Sequence, residues 1–221
     1  MTKKKIIIIS AVAAAVVLAA VALIIILGGA KTYTVTFLDH DGTPLAIREV
    51  KEGEDAEEPT HPQRSGYIFK GWSGSFKNVG EDLTLTATYE AITSPTLLVG
   101  GKEVGGGESF TLDIFIEGNV GITGLLFTLG YDSSALRLEG AEAGDALTGL
   151  DLTAPGSLAS GCKFAFDGVD ATAKNGKVLT LRFTAIGGAG GYPIEITVDE
   201  AYDGAVKPIS FKTSGNTVII K

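Results

Sequence analysis

Apolar and polar positions change their spacing abruptly along this chain. From Ile6 to Leu27, 22 residues run with one hydroxyl, Ser10, and no charge. As a helix this run rises about 33 Å, enough for a hydrocarbon core of roughly 30 Å. Lys3, Lys4 and Lys5 precede it, and such a cluster prefers the cytoplasmic side, so everything after the run is expected outside the cell. A cleaved signal peptide has the same charged start, but its apolar region usually spans about 7–15 residues. The length therefore predicts a retained signal anchor over residues 1–30, a single-pass transmembrane helix with a cytoplasmic N-terminus. Gly28-Gly29-Ala30 supplies small residues for the alternative, secretion after cleavage near Ala30. A buried core helix fits poorly, because a helix apolar on every face needs lipid or protein all round it and the rest of the chain is patterned as β.

After Lys31 the period becomes two. Tyr33-Thr-Val-Thr-Phe37 alternates as a strand, Asp39-His-Asp-Gly42 has turn chemistry, and Leu45–Val50 can return as a second strand. Lys51–Glu58 is a charged, solvated stretch with room for one helical turn, ended by Pro59 and Pro62. Gly66-Tyr-Ile-Phe-Lys-Gly-Trp72 is aromatic between glycines, and Asp82–Tyr89 is a strand with threonine at alternate positions. Residues 31–91 thus predict a small β-rich module, with Trp72 as its core anchor beside Tyr67 and Phe69.

Ile92-Thr-Ser-Pro95 reads as a short linker. Over residues 96–221 the alternation continues on a larger scale. Ser109–Glu117 places Phe110, Leu112, Ile114 and Ile116 on one face. Gly124–Tyr131 places Leu125, Phe127, Leu129 and Tyr131 on one face and Gly124, Leu126 and Thr128 on the other. Lys163–Asp167, Val178–Ile186, Ile194–Val198 and Thr217–Ile220 are further predicted strands. Glycine-rich turns separate them, and this spacing predicts a β-sandwich.

Charge and chemistry narrow the function classes. The net charge is −8, and both exported parts are acidic: residues 32–91 hold 11 acidic against 5 basic residues, and residues 92–221 hold 15 against 9. With no basic stripe, nucleic acid is not an expected partner. Cys162 is the only cysteine, so no intrachain disulfide forms. No histidine follows residue 91 to activate its thiol, which reads as a small strand residue. His40 and His61 are too scattered for a metal site and read as surface turn positions. Asp199, Glu200 and Asp203 do not follow a calcium-loop pattern and read as a solvated turn. No nucleophile elbow, phosphate loop or zinc spacing is present. The chain is expected to be no enzyme, to hold no cofactor or metal, and to take no small-molecule substrate.

Two resemblances sharpen this picture. Residues 33–90 resemble the internalin B-repeat family of bacterial surface proteins. The resemblance rests on the opening Tyr-Thr-Val-Thr-Phe, the Asp41-Gly42-Thr43 turn, Pro59, the Gly-Tyr-x-Phe-x-Gly-Trp motif and the closing Leu-Thr-Leu-Thr-Ala-Thr-Tyr. It implies a β-grasp-like fold and a rigid extracellular spacer. Residues 96–221 resemble a cohesin domain. Gly105-Gly-Gly-Glu-Ser-Phe-Thr-Leu, the Gly121–Leu138 run with its Tyr-Asp-x-x-x-Leu turn, Lys177–Ala185, and Ala201-Tyr-Asp-Gly204 with the last strand carry it. The whole chain is therefore expected to be mainly β: a transmembrane helix, a B-repeat-like module and an Ig-like or jelly-roll sandwich of the cohesin type.

The cohesin resemblance implies a partner, the dockerin module of an extracellular protein such as a cellulosome-type enzyme or scaffoldin, which brings its own calcium. It also implies the contact face, made by the strand of Gly124, Leu126 and Thr128 and the one of Lys163, Ala165 and Asp167, with Gly168 at its end. Many cohesins have polar residues where this chain has Gly124 and Leu126, which implies a more apolar contact. The expectation is a receptor held at the outer face of a bacterial membrane through residues 6–27. The alternative is a surface adhesin or carbohydrate-binding sandwich, for which Tyr192 and Tyr202 are loop candidates.

Overall fold

The computed structural model describes residues 31–221, and every regular element in that range is a β-strand. The expected membrane helix over residues 6–27 lies outside the described residues. Among the described residues no helix is long and apolar enough to cross a membrane.

The N-terminal module is a four-stranded sheet of β1 (Thr32–Leu38), β2 (Pro44–Lys51), β3 (Tyr67–Trp72) and β4 (Leu83–Ala91). Their order is β2-β1-β4-β3, with the central β1–β4 pair parallel and the outer pairs antiparallel. The period-two pattern of β1 turns Val35 and Phe37 into the core, where they meet Val50, Ala56, Val79 and Leu85. Trp72 anchors this core, edge-on to Phe37 at 4.7 Å and to Phe69 at 5.3 Å, with its indole N–H donated to Glu58 Oε1 at 2.9 Å. Tyr67 stands apart from it, under the Arg64 guanidinium at 3.8 Å. The charged stretch after β2 forms no helical turn. Its backbone is stitched to the 76–79 loop instead, through Gly53 N–H to Val79 O, Val79 N–H to Glu54 O and Ala56 N–H to Phe76 O. Burying Ala56 there brings more apolar contact than a solvated turn could.

The larger module has eleven strands: β5 (Thr96–Val99), β6 (Lys102–Val104), β7 (Ser109–Glu117), β8 (Ile122–Tyr131), β9 (Leu136–Ala143), β10 (Asp151–Thr153), β11 (Cys162–Thr172), β12 (Gly176–Ala185), β13 (Gly190–Asp203), β14 (Lys212–Ser214) and β15 (Asn216–Ile220). They form two sheets, β10-β11-β8-β13-β15-β6 and β14-β5-β7-β12-β9. Between them lies one core, to which β7 contributes Phe110, Leu112, Ile114 and Ile116 and β8 contributes Leu125, Phe127 and Leu129. Five strands that the sequence pattern did not announce, β5, β6, β9, β10 and β14, are mostly short. Their edges are completed by partners far away in sequence, as in the parallel pairs β14–β5 and β15–β6.

Candidate binding face

β8 lies inside the six-stranded sheet, so its two faces have different fates. Leu125, Phe127 and Leu129 are almost wholly buried against the other sheet, and Gly124, Leu126 and Thr128 face outward. β11 runs antiparallel beside it in a register that sets Lys163 opposite Thr128, Ala165 opposite Leu126 and Asp167 opposite Gly124. Phe164 and Phe166 point inward. Six of the seven residues expected to contact a partner therefore form three facing pairs on one surface, with half-buried Leu126 and Ala165 at its centre. Gly168 follows at the end of this paired run. A Cβ there would stand 2.8 Å from Leu150 Cδ2 and 2.9 Å from the Gly149 carbonyl oxygen, so glycine is needed for the close pass of the 149–150 turn.

The other flank of β8 is β13, and here the structure corrects the sequence reading. Asp199 and Glu200 are not in a solvated turn. The strand continues through them to Asp203, with a register shift between Val198 and Glu200 that brings Glu200 opposite Leu126 and Tyr202 opposite Gly124. This bulge breaks the alternation and ended the predicted strand at Val198. Asp199 accepts a hydrogen bond from Thr128 Oγ1 at 2.7 Å on Oδ2, and Lys163 Nζ is 3.3 Å from the same oxygen. Asp203 does lie at a turn, where its Oδ1 accepts the N–H groups of Ala205 and Lys207.

β10 extends the surface on the far side, placing Asp151 opposite Asp167 and Thr153 opposite Ala165. The face is a small apolar centre within carboxylates, and its one lysine, Lys163, is paired to Asp199. The contributions of β10 and β13 were missed because neither strand keeps a long clean alternation.

Cys162 points inward at 8% exposure, and burial pushes its thiol above the ordinary range. Tyr131 donates its hydroxyl to the Leu158 carbonyl, and burial raises its pKa. Tyr192 and Tyr202, expected on loops, are both strand residues. Tyr192 packs against the core and donates to the Gly188 carbonyl, and Tyr202 lies beside Gly124 and reaches Glu200 at 3.3 Å. His61 is not a simple surface turn residue either: its ring lies against Phe69 at 4.6 Å. Among the described residues one group of possible metal ligands converges, Asp39, His40 and Asp41 in the first module. Each carboxylate there already serves the turn, Asp39 accepting from His40 N–H and Tyr89 O–H and Asp41 from Thr43 N–H.

With this geometry in hand, the chain can be set beside known proteins. Residues 33–97 match the family described as the Listeria-Bacteroides repeat domain. No curated protein matches the sequence. Among solved structures, the larger module is similar to a non-cellulosomal cohesin from the hyperthermophilic archaeon Archaeoglobus fulgidus. The TM-score is 0.53 at 15% identity, covering 58% of this chain and 92% of that one. The seventh ScaB type I cohesin from Pseudobacteroides cellulosolvens gives 0.51 at 19% identity, with 58% and 92% covered. The third cohesin ScaC from Acetivibrio cellulolyticus, solved in complex with the ScaB dockerin, gives 0.52 at 16% identity, with 57% and 98% covered. The sandwich therefore has the cohesin fold, over nearly the whole length of those domains.

Proposed function

We propose that this protein is a cohesin-type receptor, binding the dockerin module of an extracellular protein non-covalently on the outward face of β8, β11 and β13. The observation that carries the reading is the register that sets Gly124, Leu126 and Thr128 directly opposite Asp167, Ala165 and Lys163. It makes one continuous surface of small side chains around Leu126, open enough for a helix to approach, with polar groups at the rim. Two features of solved relatives support it: the shared fold, and the presence of a dockerin in the complex of the Acetivibrio domain. The calcium belongs to the dockerin. Residues 6–27 hold the receptor at the outer face of the cell membrane, and the repeat module stands between membrane and binding face.

Calorimetric titration of the full chain in detergent with a panel of dockerins, with calcium and with chelator, tests the reading. One class should bind in calcium and fail in chelator. Absence of binding by every class, with circular dichroism reporting a folded β protein, overturns it.

A further inference from the structure

The outer face of the six-stranded sheet is open on the β8 side and closed on the β15 side. Val218 and Ile220 of β15 point into the core, so Ile219 between them points outward, yet it is 3% exposed. The repeat module covers it: Glu57, Glu58, Pro59 and His61 line one cleft with Gly191, Thr217 and Ile219.

Asn216 fixes this contact. It is 5% exposed, and its amide is fully used. Oδ1 accepts the N–H groups of His61 at 3.0 Å and Thr217 at 2.9 Å, while Nδ2 donates to the carbonyls of His61 at 3.1 Å and Val99 at 3.2 Å. The repeat's backbone is thus held at both its donor and its acceptor by one sandwich side chain. Gly101 permits the approach, since a Cβ there would stand 2.4 Å from Asn216 Oδ1 and 2.7 Å from Thr60 Cβ.

Four charges alternate around the same junction. Arg48 Nη2 lies 2.8 Å from Glu103 Oε1 and Lys221 Nζ 2.5 Å from Glu57 Oε2, and both contacts cross between modules. Arg48 to Glu57 at 3.6 Å and Lys221 to Glu103 at 3.7 Å close the ring. Ser65 Oγ adds a hydrogen bond to Glu117 at 3.1 Å. The connecting segment 92–95 is itself tied down: Ile92 N–H bonds the Gly66 carbonyl, and Pro95 is buried. A bead joined by a loose linker has none of these contacts.

We propose that the repeat module and the sandwich are one cooperative folding unit. In it, segment 57–61 permanently occupies the β15 side of the outer face and leaves a partner only the β10–β11–β8–β13 side. A module with so few buried side chains is marginal alone, and the junction supplies burial it lacks. The binding face is then held at a fixed angle to the chain's entry at Lys31.

The chain carries one probe in each half, since Trp72 is its only tryptophan and Cys162 its only cysteine. Urea unfolding of the full chain in detergent, read by Trp72 fluorescence and by thiol labelling of Cys162, should give one shared midpoint. Asn216→Ala strands the His61 backbone groups and should raise the labelling rate of Cys162 roughly 5- to 30-fold while shifting the Trp72 transition equally. Val35→Ala, deep in the repeat core, supplies the decisive arm. Whether it loosens the repeat or unfolds it outright, coupled modules lose protection at Cys162. Separate midpoints in the parent chain, or Cys162 protection unchanged in Val35→Ala, overturns the proposal.

Discussion

Leu126 is the residue on which the proposed binding face turns. It is half-buried at the centre of the outward surface, opposite Ala165 on one side and Glu200 on the other. Leu126→Asp should weaken a cognate dockerin by about 30-fold or more, the scale of a central hot spot, and leave the urea midpoint almost unmoved. Calorimetry beside a denaturation curve checks both halves of that statement. Its outward direction was legible, because Leu125 and Phe127 must face the core and a strand alternates. Its neighbours Glu200 and Tyr202 were not, because the bulge at Asp199 moves them by one position. A second residue-level expectation concerns acid. Burial raises the Asp39 carboxyl, but hydrogen bonds from Tyr89 and His40 outweigh it and hold the group below its ordinary range. That contribution is complete above the ordinary carboxylate range and is lost as pH falls through the lowered folded value. Tyr89→Phe should therefore cost about 1 kcal/mol near neutrality. The gap between parent and variant should narrow when Trp72-monitored unfolding is repeated near pH 3.

At the scale of elements, strands with a long clean alternation were readable from sequence alone: β7 matches its predicted range, and β8 and β12 differ only at their ends. β9 was missed, although Leu136-Arg-Leu138 alternates, because Gly140, Ala141 and Ala143 then offer little hydrophobic contrast. β13 was cut short at its bulge. The turn that follows β13 carries local strain. Val206 adopts φ +58° and is 76% exposed. A β-branched residue is costly in that region, and almost no burial offsets it. Val206→Gly should raise stability by roughly 1 kcal/mol, seen as a higher urea midpoint. An unchanged or lower midpoint would mean that the valine side chain makes up for the backbone.

At the scale of the whole molecule, the proposed membrane attachment rests on residues 6–27. If they are a retained anchor, intact-mass measurement of the protein from membranes should give a chain that still includes them; a start at Lys31 sinks the anchor. Composition and periodicity alone determined a long apolar segment, a mainly β remainder and the inward faces of the long strands. These are local facts, because burying one face of a strand imposes a period of two within a window of a few residues. Which outward faces become neighbours is not local. β11 reaches β8 from about 40 residues away, β10 and β13 complete the surface, and Asn216 bonds a histidine backbone 155 positions earlier. Such pairings are chosen by the packing of the whole core against the entropy of closing long loops. Only the tertiary structure could decide them, and with them which part of the sheet's outer face the repeat module leaves uncovered.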